Sequence, residues 1–215
     1  MDDNKAFSYR VLLEGGEGEI VEKKSRFIAT IRCVESEEEA VAFIDEIKKK
    51  YWDARHNCSA FVIGDRAQLT RCSDDGEPSG TAGRPMLEVL LGDGVRNIAV
   101  VVTRYFGGVL LGTGGLVRAY TQAVKEGLSA CKIGVMCEGY EMSLKTDYNG
   151  VGKVLYLLGQ KGLEAFESDY GESVTLRVRV VNEMVETLEK ELIEATAGKI
   201  EIVKDAKVSF INKVN

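Results

Sequence analysis

Two glycine-rich loops with neighbouring arginines carry the residue types best suited to chemistry. Residues 73–84 read Ser-Asp-Asp-Gly-Glu-Pro-Ser-Gly-Thr-Ala-Gly-Arg, residues 103–118 read Thr-Arg-Tyr-Phe-Gly-Gly-Val-Leu-Leu-Gly-Thr-Gly-Gly-Leu-Val-Arg, and each stretch leads into a helical pattern. The first N–H groups of a helix lack partners within it, and the helix dipole adds positive charge there. Each loop therefore predicts a binding site for an anion such as phosphate or carboxylate. The alternative is that its glycines only provide positive φ angles or allow close packing. The predicted anion-binding or nucleic-acid-binding residues are Ser79, Gly80, Thr81, Ala82, Gly83, Arg84, Arg104, Tyr105, Gly107, Gly108, Gly112, Thr113, Gly114 and Arg118.

The basic side chains of this region are arginines, since residues 51–124 contain seven arginines and no lysine. A guanidinium makes paired hydrogen bonds to phosphate or carboxylate, which an ammonium cannot do. The same arginines can instead form ion pairs with nearby acids such as Asp65 or Glu88. A nucleotide triphosphatase is not predicted, because no lysine follows Gly112 as the GxxxxGK[ST] template requires.

His56, the single histidine, offers one route to acid–base catalysis. On a strand, His56 and Cys58 share a face, which is the minimum arrangement for a base beside a thiol nucleophile. Ser79 is a second candidate nucleophile. The alternative is a histidine that orients a loop and a cysteine that packs as a small apolar residue. The sequence names no third group to orient the base, so the alternative is favoured.

Metal chemistry has little support in the sequence. One histidine, with cysteines that lack ligand spacing, cannot supply a zinc site. Asp74, Asp75 and Glu77 form an acidic run that is a weak candidate for Mg²⁺. Such runs more often stabilise a turn through side-chain bonds to the backbone. No metal or other cofactor is predicted.

The composition limits the classes of protein to which this chain can belong. A net charge of −6 over 215 residues argues against a broadly basic nucleic-acid-binding surface and leaves room for a local basic patch. No apolar run approaches the roughly 18 residues that span a bilayer, and the polar, acidic N-terminus does not resemble a signal peptide. Five cysteines without CxxC spacing are expected to be reduced thiols. We therefore expect a cytoplasmic protein that does not enter a membrane.

The loops lie in the first of two expected domains, residues 1–138 and 139–215. We expect the first to be an α+β domain with helices on one face of a mixed sheet. A capping box at Ser36 and Glu39 predicts the start of its first helix. The other elements expected are antiparallel strands at 10–13, 18–24 and 27–34, a hairpin of 57–63 with 68–72, a buried strand at 98–102 and a helix at 113–130.

The second domain has a simpler pattern. Residues 174–180 alternate between apolar and polar side chains, which predicts a strand with one buried face. Asp147 and Asn182 are expected to cap its two helices. The order of elements is β-α-β-β-α-β over about 75 residues, which predicts a ferredoxin-like unit.

Long motifs in the first domain resemble the IMPACT family, in particular its bacterial YigZ-type members. The matching stretches are Ser73–Pro85 and Val100–Tyr120, with shorter similarity at Ser25–Ala29 and His56–Cys58. The resemblance covers nearly the whole chain. It implies a first domain similar to the fourth domain of elongation factor G and a ferredoxin-like second domain similar to the fifth domain of that factor.

The resemblance also implies a role in translation, because eukaryotic relatives bind an activator of the initiation-factor kinase and dampen the amino-acid-starvation response. Bacteria lack that kinase pathway, so this partner does not transfer to bacterial members. Two hypotheses follow. The favoured one is a non-enzymatic, translation-associated regulator that binds RNA, the ribosome or an acidic protein segment through the glycine-rich loops. The alternative is an enzyme that acts on a small anionic or phosphorylated ligand with His56 as the acid or base. The oligomeric state stays open.

Overall fold

The protein divides into two compact units. The structure, a computed structural model, describes residues 8–212, and the units comprise residues 9–135 and 136–212. The division falls inside the long strand Lys132–Thr146, a few residues before the expected boundary at 138/139. Among the helices of the described residues, none combines the length and apolar character that crossing a membrane requires.

The first unit alternates short strands with three helices. Ser36 caps the first helix as predicted, because its Oγ accepts a hydrogen bond from the N–H of Glu39 at 3.2 Å. In chain order the elements are β1 (Tyr9–Glu14), β2 (Glu17–Glu22), β3 (Ser25–Cys33), α1 (Glu37–Lys50), β4 (His56–Ile63), β5 (Leu69–Ser73), α2 (Gly83–Asp93), β6 (Val95–Arg96), β7 (Ile98–Tyr105) and α3 (Thr113–Ser129).

Five of these strands form an antiparallel sheet in the order β2-β3-β7-β4-β5. The apolar run that begins β7 fills the centre of the sheet and is buried on both faces. Val100 and Val102 pack with residues of α2 and α3, whereas Ala99 and Val101 pack with residues of α1. The α+β class is confirmed, but the helices do not all lie on one face. Both faces are covered because β7 presents apolar side chains to each of them.

Strand β1 does not extend this sheet. It pairs in parallel with β6, with Arg10 opposite Val95, so the expectation that it pairs with the next two strands is wrong. Glycine is required directly after β1, because Gly15 lies so close to the carbonyl of Ile31 that a Cβ would overlap it. The parallel pair makes the strand pairing of the protein mixed.

The second unit has the predicted β-α-β-β-α-β order. Its strands lie in the order β11-β8-β10-β9, which places the first and third strands of the unit at the centre, as in a split βαβ fold. Asp147 binds the start of its first helix, but Asn182 does not cap the second, where Val181 holds the cap position. The elements are β8 (Lys132–Thr146), α4 (Val151–Gln160), β9 (Ala165–Tyr170), β10 (Val174–Val181), α5 (Asn182–Ala195) and β11 (Glu201–Asn212).

Candidate functional site

The amides of the first glycine-rich loop are already occupied by a carboxylate of the protein itself. Asp74, just after β5, accepts hydrogen bonds from the N–H groups of Gly80, Ala82 and Gly83 at 2.8, 3.0 and 2.9 Å. The N–H of Thr81 donates to the carbonyl of Pro78 at 3.1 Å. The prediction that these amides receive an external anion is therefore wrong. The physical principle holds, but the anion at the start of α2 is Asp74.

The protonation of Asp74 reflects this role. Partial burial pushes the pKa of its carboxyl upward, but the three backbone donors outweigh that effect and hold the pKa below its ordinary value. Asp74 is therefore ionised at neutral pH and supplies the negative charge that the start of a helix favours.

The neighbouring acids, Asp75 and Glu77, form hydrogen bonds with other residues. Asp75 accepts hydrogen bonds from Lys48 Nζ and from the N–H of Asn57, both at 2.7 Å. Glu77 is buried, and its Oε1 accepts hydrogen bonds from Arg104 and Tyr120. The three carboxylates point to separate partners, so the weak magnesium prediction at Asp74, Asp75 and Glu77 is wrong. Within residues 8–212, no group of three metal-ligating side chains is found.

Arg104 is a core residue and does not reach the surface. Only 6% of it is exposed, and its Nη1 donates to Glu77 Oε1 at 2.6 Å. Its guanidinium also lies 5.5 Å from the ring centroid of Phe27 and 5.6 Å from that of Phe106. The prediction that Arg104 binds a ligand is wrong. Arg104 instead links the end of β7 to the first loop.

The residues of the predicted enzyme do not form a catalytic group. Cys58 is fully buried, its Sγ lies 3.0 Å from the carbonyl of Asp74, and burial raises its pKa to about 12. The thiol stays protonated at neutral pH, so it is not an activated nucleophile. His56 uses Nδ1 for a hydrogen bond to the carbonyl oxygen of Asp75 at 2.9 Å. Ser79 is exposed, and no hydrogen bond joins it to His56 among the described residues.

The second glycine-rich loop, residues 106–112, differs from the first because no carboxylate of the described residues binds the amides at the start of its helix. Gly107 packs on the turn between β2 and β3, and a Cβ there would overlap the backbone of Lys24. Gly108 and Gly112 have φ angles of 83° and 73°, which suit glycine. Gly112 caps α3 without a side-chain bond, and the first turn of α3 has no acidic residue. Within residues 8–212, no acceptor binds the first amides of α3, at Thr113 and Gly114.

Three cationic residues belong to the segments next to this open helix start. Lys23 and Lys24 occupy the β2–β3 turn and Arg118 lies on the second turn of α3. None of these three has an ion-pair partner among the described residues. Lys23 and Arg118 line a groove of about 410 Å³ between β2 and α3. We call the surface formed by residues 23–24, 106–114 and 118 the α3 surface.

The other predicted site residues have structural partners. Arg84 forms an exposed ion pair with Glu88, four residues along α2. Tyr105 donates its hydroxyl hydrogen to Asp53 Oδ1 at 2.8 Å, and the guanidinium of Arg26 lies 6.0 Å from its ring centroid. The contact with Asp53 brings the end of α1, with its exposed Trp52, to the same end of the sheet.

Comparisons with known proteins agree with this two-unit architecture. The model of the Impact N-terminal domain matches residues 23–128, and a domain of unknown function, DUF1949, matches residues 144–199. The Bacillus subtilis IMPACT family member YvyE is 43% identical over 208 residues, which cover 96% of this chain and 94% of YvyE. The chain belongs to the IMPACT family.

Other relatives cover similar shares of the chain. The Escherichia coli IMPACT family member YigZ is 40% identical over 183 residues, which cover 84% of this chain and 90% of YigZ. A crystal structure of a hypothetical protein is 37% identical with a TM-score of 0.58, and the match covers 93% of this chain and 98% of that one. The α3 surface lies wholly within the residues that match the Impact N-terminal domain.

Sequence reasoning missed part of this IMPACT family surface. Lys23 and Lys24 were not expected there, although two lysines in a hairpin turn are a signal of exposure. Phe106, in the second glycine-rich loop, is 49% exposed. Leu110, in the same loop, is 82% exposed. Tyr120, by contrast, is fully buried.

Proposed function

We propose that this IMPACT family protein is a non-enzymatic regulator of translation that binds RNA on the ribosome through the α3 surface. The open helix start, together with three cations that have no ion-pair partner among the described residues, carries the proposal. Exposed amides and ammonium or guanidinium groups bind phosphate oxygens. The occupied amides of the first loop and the protonated, buried Cys58 argue against the enzyme alternative.

Exposed apolar side chains favour RNA with unpaired bases over a purely ionic partner. Phe106 lies in the loop itself, and Trp52, 82% exposed, lies at the same end of the sheet. Bases of single-stranded nucleic acid stack on such side chains while the backbone contacts nearby cations. An acidic protein segment would use the same cations but would not need the aromatic rings. The link to translation comes from the role that the family resemblance implies for eukaryotic members.

A salt titration tests this proposal. Fluorescence anisotropy would measure the affinity of the full chain for single-stranded fragments of ribosomal RNA between about 50 and 300 mM salt. We expect a steep fall in affinity with salt. Arg118→Ala should weaken binding and reduce the slope of the double-logarithmic plot by about 0.7, and the double change Lys23→Ala, Lys24→Ala by about 1.4. Phe106→Ala should weaken binding by about 1–3 kcal/mol, the contribution of one stacked base, with the slope unchanged.

Arg84→Ala is the matched control, because Arg84 is an exposed arginine of the same unit that is already paired with Glu88. It should leave both affinity and slope nearly unchanged. Absence of binding to RNA and to ribosomal particles at about 50 mM salt would overturn the proposal. Retention of an acidic peptide under those conditions would replace RNA with an acidic protein segment.

A further inference from the structure

A small polar cavity lies in the second unit, whereas the α3 surface belongs to the first. It occupies about 150 Å³ where the start of α4 meets the residues that follow α5. Ligand pockets for drug-sized molecules begin at roughly 300 Å³, so an occupant must be small or must insert only one group. The cavity is lined by Thr146, Asp147, Asn149, Gly150, Lys153, Thr196, Ala197 and Lys199.

Thr146 brings an unsatisfied hydroxyl to this cavity. The residue is 3% exposed, and its Oγ1 is buried without a hydrogen-bond partner among the described residues. Buried hydroxyls nearly always have a partner, so an orphan at a polar cavity indicates an atom that the protein alone does not supply. Gly150 permits this arrangement, because a Cβ there would overlap Thr146 Oγ1.

The charges around the cavity favour an anion. The start of α4 does not contribute free amides, because Asp147 accepts hydrogen bonds from the N–H groups of Gly150 and Val151 through its side chain and its carbonyl, so the attraction must come from the two lysines. Lys153 donates one hydrogen bond to the carbonyl of Ala195 at 3.1 Å and keeps two donors. Lys199 is exposed and has no ion-pair partner within residues 8–212. Asp147 is the opposing charge, and its Oδ1 is bound to the N–H of Gly150 at 2.7 Å.

We propose that this cavity binds a phosphate group, with Thr146 Oγ1 as a buried donor and Lys153 and Lys199 as the charged ligands. A hydroxyl and two ammonium groups together supply hydrogen-bond donors and positive charge for the oxygens of a tetrahedral oxyanion. The phosphate is either a free ion or the terminal group of a longer molecule.

The decisive variant is Thr146→Val, which keeps the shape of the side chain and removes the hydroxyl. Titration of the full chain with inorganic phosphate, followed by amide NMR shifts, should move the signals of Gly150 and Gly152 in the wild-type protein. Thr146→Val should abolish those shifts without lowering thermal stability, since the hydroxyl has no partner to lose. Thr146→Ser, which keeps the hydroxyl, should retain binding.

Lysine variants test the charged ligands. Lys199→Gln should weaken binding about tenfold, the loss expected for one charge-assisted hydrogen bond. Lys190→Gln is the matched control, because Lys190 is an exposed lysine on α5 that does not line the cavity. A parallel titration with a nucleoside 5′-monophosphate distinguishes the sources: tighter binding than inorganic phosphate identifies a terminal phosphate, and equal binding a free ion. Equal binding by wild type, Thr146→Val and Lys199→Gln would mean an adventitious ion only and would overturn the site.

Discussion

At the scale of single residues, the presence or absence of one carboxylate determines whether the amides of a glycine-rich loop are available to a partner. The two loops have similar composition, and both precede a helix. Asp74 closes the first loop because its two oxygens bind three amides of residues 80–83. The second loop has no acid between Arg104 and Arg118, so the start of α3 stays open to a partner.

Removing the Asp74 carboxylate should destabilise the first unit. We expect Asp74→Ala to lower the free energy of unfolding by about 2 kcal/mol, because a helix cap and charge-assisted hydrogen bonds are lost together. Asp74→Asn keeps one oxygen acceptor and should cost less. Urea unfolding at pH 7 measures both, and Asp45→Asn, at an exposed position on α1, is the control.

The effect of Asp74 should also depend on pH in a definite direction. The pKa of Asp74 is lower in the folded protein than in the unfolded chain, where it is about 3.9. Its stabilisation is therefore complete above that value and is lost as the pH falls through the folded pKa. The stability difference between wild type and Asp74→Asn should shrink below about pH 4. A difference that stays constant down to pH 2 would contradict the assignment.

At the scale of elements, the α3 surface depends on the close packing of a turn and a loop. The backbone at Gly107 lies against Lys24, and its N–H donates to Ser25 Oγ at 3.2 Å. This contact sets the position of Lys23 and Lys24 relative to the start of α3. The glycine is required by the space available, since the backbone of another segment occupies the place of a Cβ.

Gly107→Ala should therefore act on stability and on binding at once. We expect a loss of about 1–3 kcal/mol in urea unfolding, because the overlap is with backbone and has no flexible side chain to move aside. Affinity for single-stranded RNA should fall in the same variant. Gly92→Ala is the matched control, since nothing lies within 4 Å of a Cβ there, and the helical position should gain up to about 1 kcal/mol. Equal stability of Gly107→Ala and wild type would show that the contact does not hold the turn.

At the scale of the whole molecule, charge is divided unevenly between the units. Residues 9–135 contain 17 basic and 18 acidic side chains, whereas residues 136–212 contain nine basic and 14 acidic ones. Neither unit is broadly basic. Binding of an anion must therefore depend on where unpaired cations gather, as at the α3 surface and at the cavity beside Thr146.

Local patterns predicted the elements better than their assembly. The capping box at Ser36, the buried run of β7 and the alternation of β10 each determine one element through nearby residues, and each prediction is confirmed. The pairing of β1 with β6 and the placement of α1 on the opposite face depend on contacts far apart in sequence. No window of neighbouring residues contains that information.

The candidate site was harder to predict for the same reason. Arg104 and Glu77 are 27 positions apart, and only the fold shows that they neutralise each other in the core. The sequence identified the loops but could not separate a filled helix start from an open one. The exposure of Phe106 likewise follows from a loop conformation set by Gly107 and Gly108.

The chain contains a single tryptophan, Trp52, and 82% of it is exposed. Its fluorescence emission in the native protein will resemble that of indole in water, so unfolding will change the emission little. Denaturation must be followed by circular dichroism or by tyrosine signals. The same exposure makes Trp52 a built-in optical reporter for whatever covers this end of the sheet, because a bound base or apolar group will quench the emission or shift it to shorter wavelength.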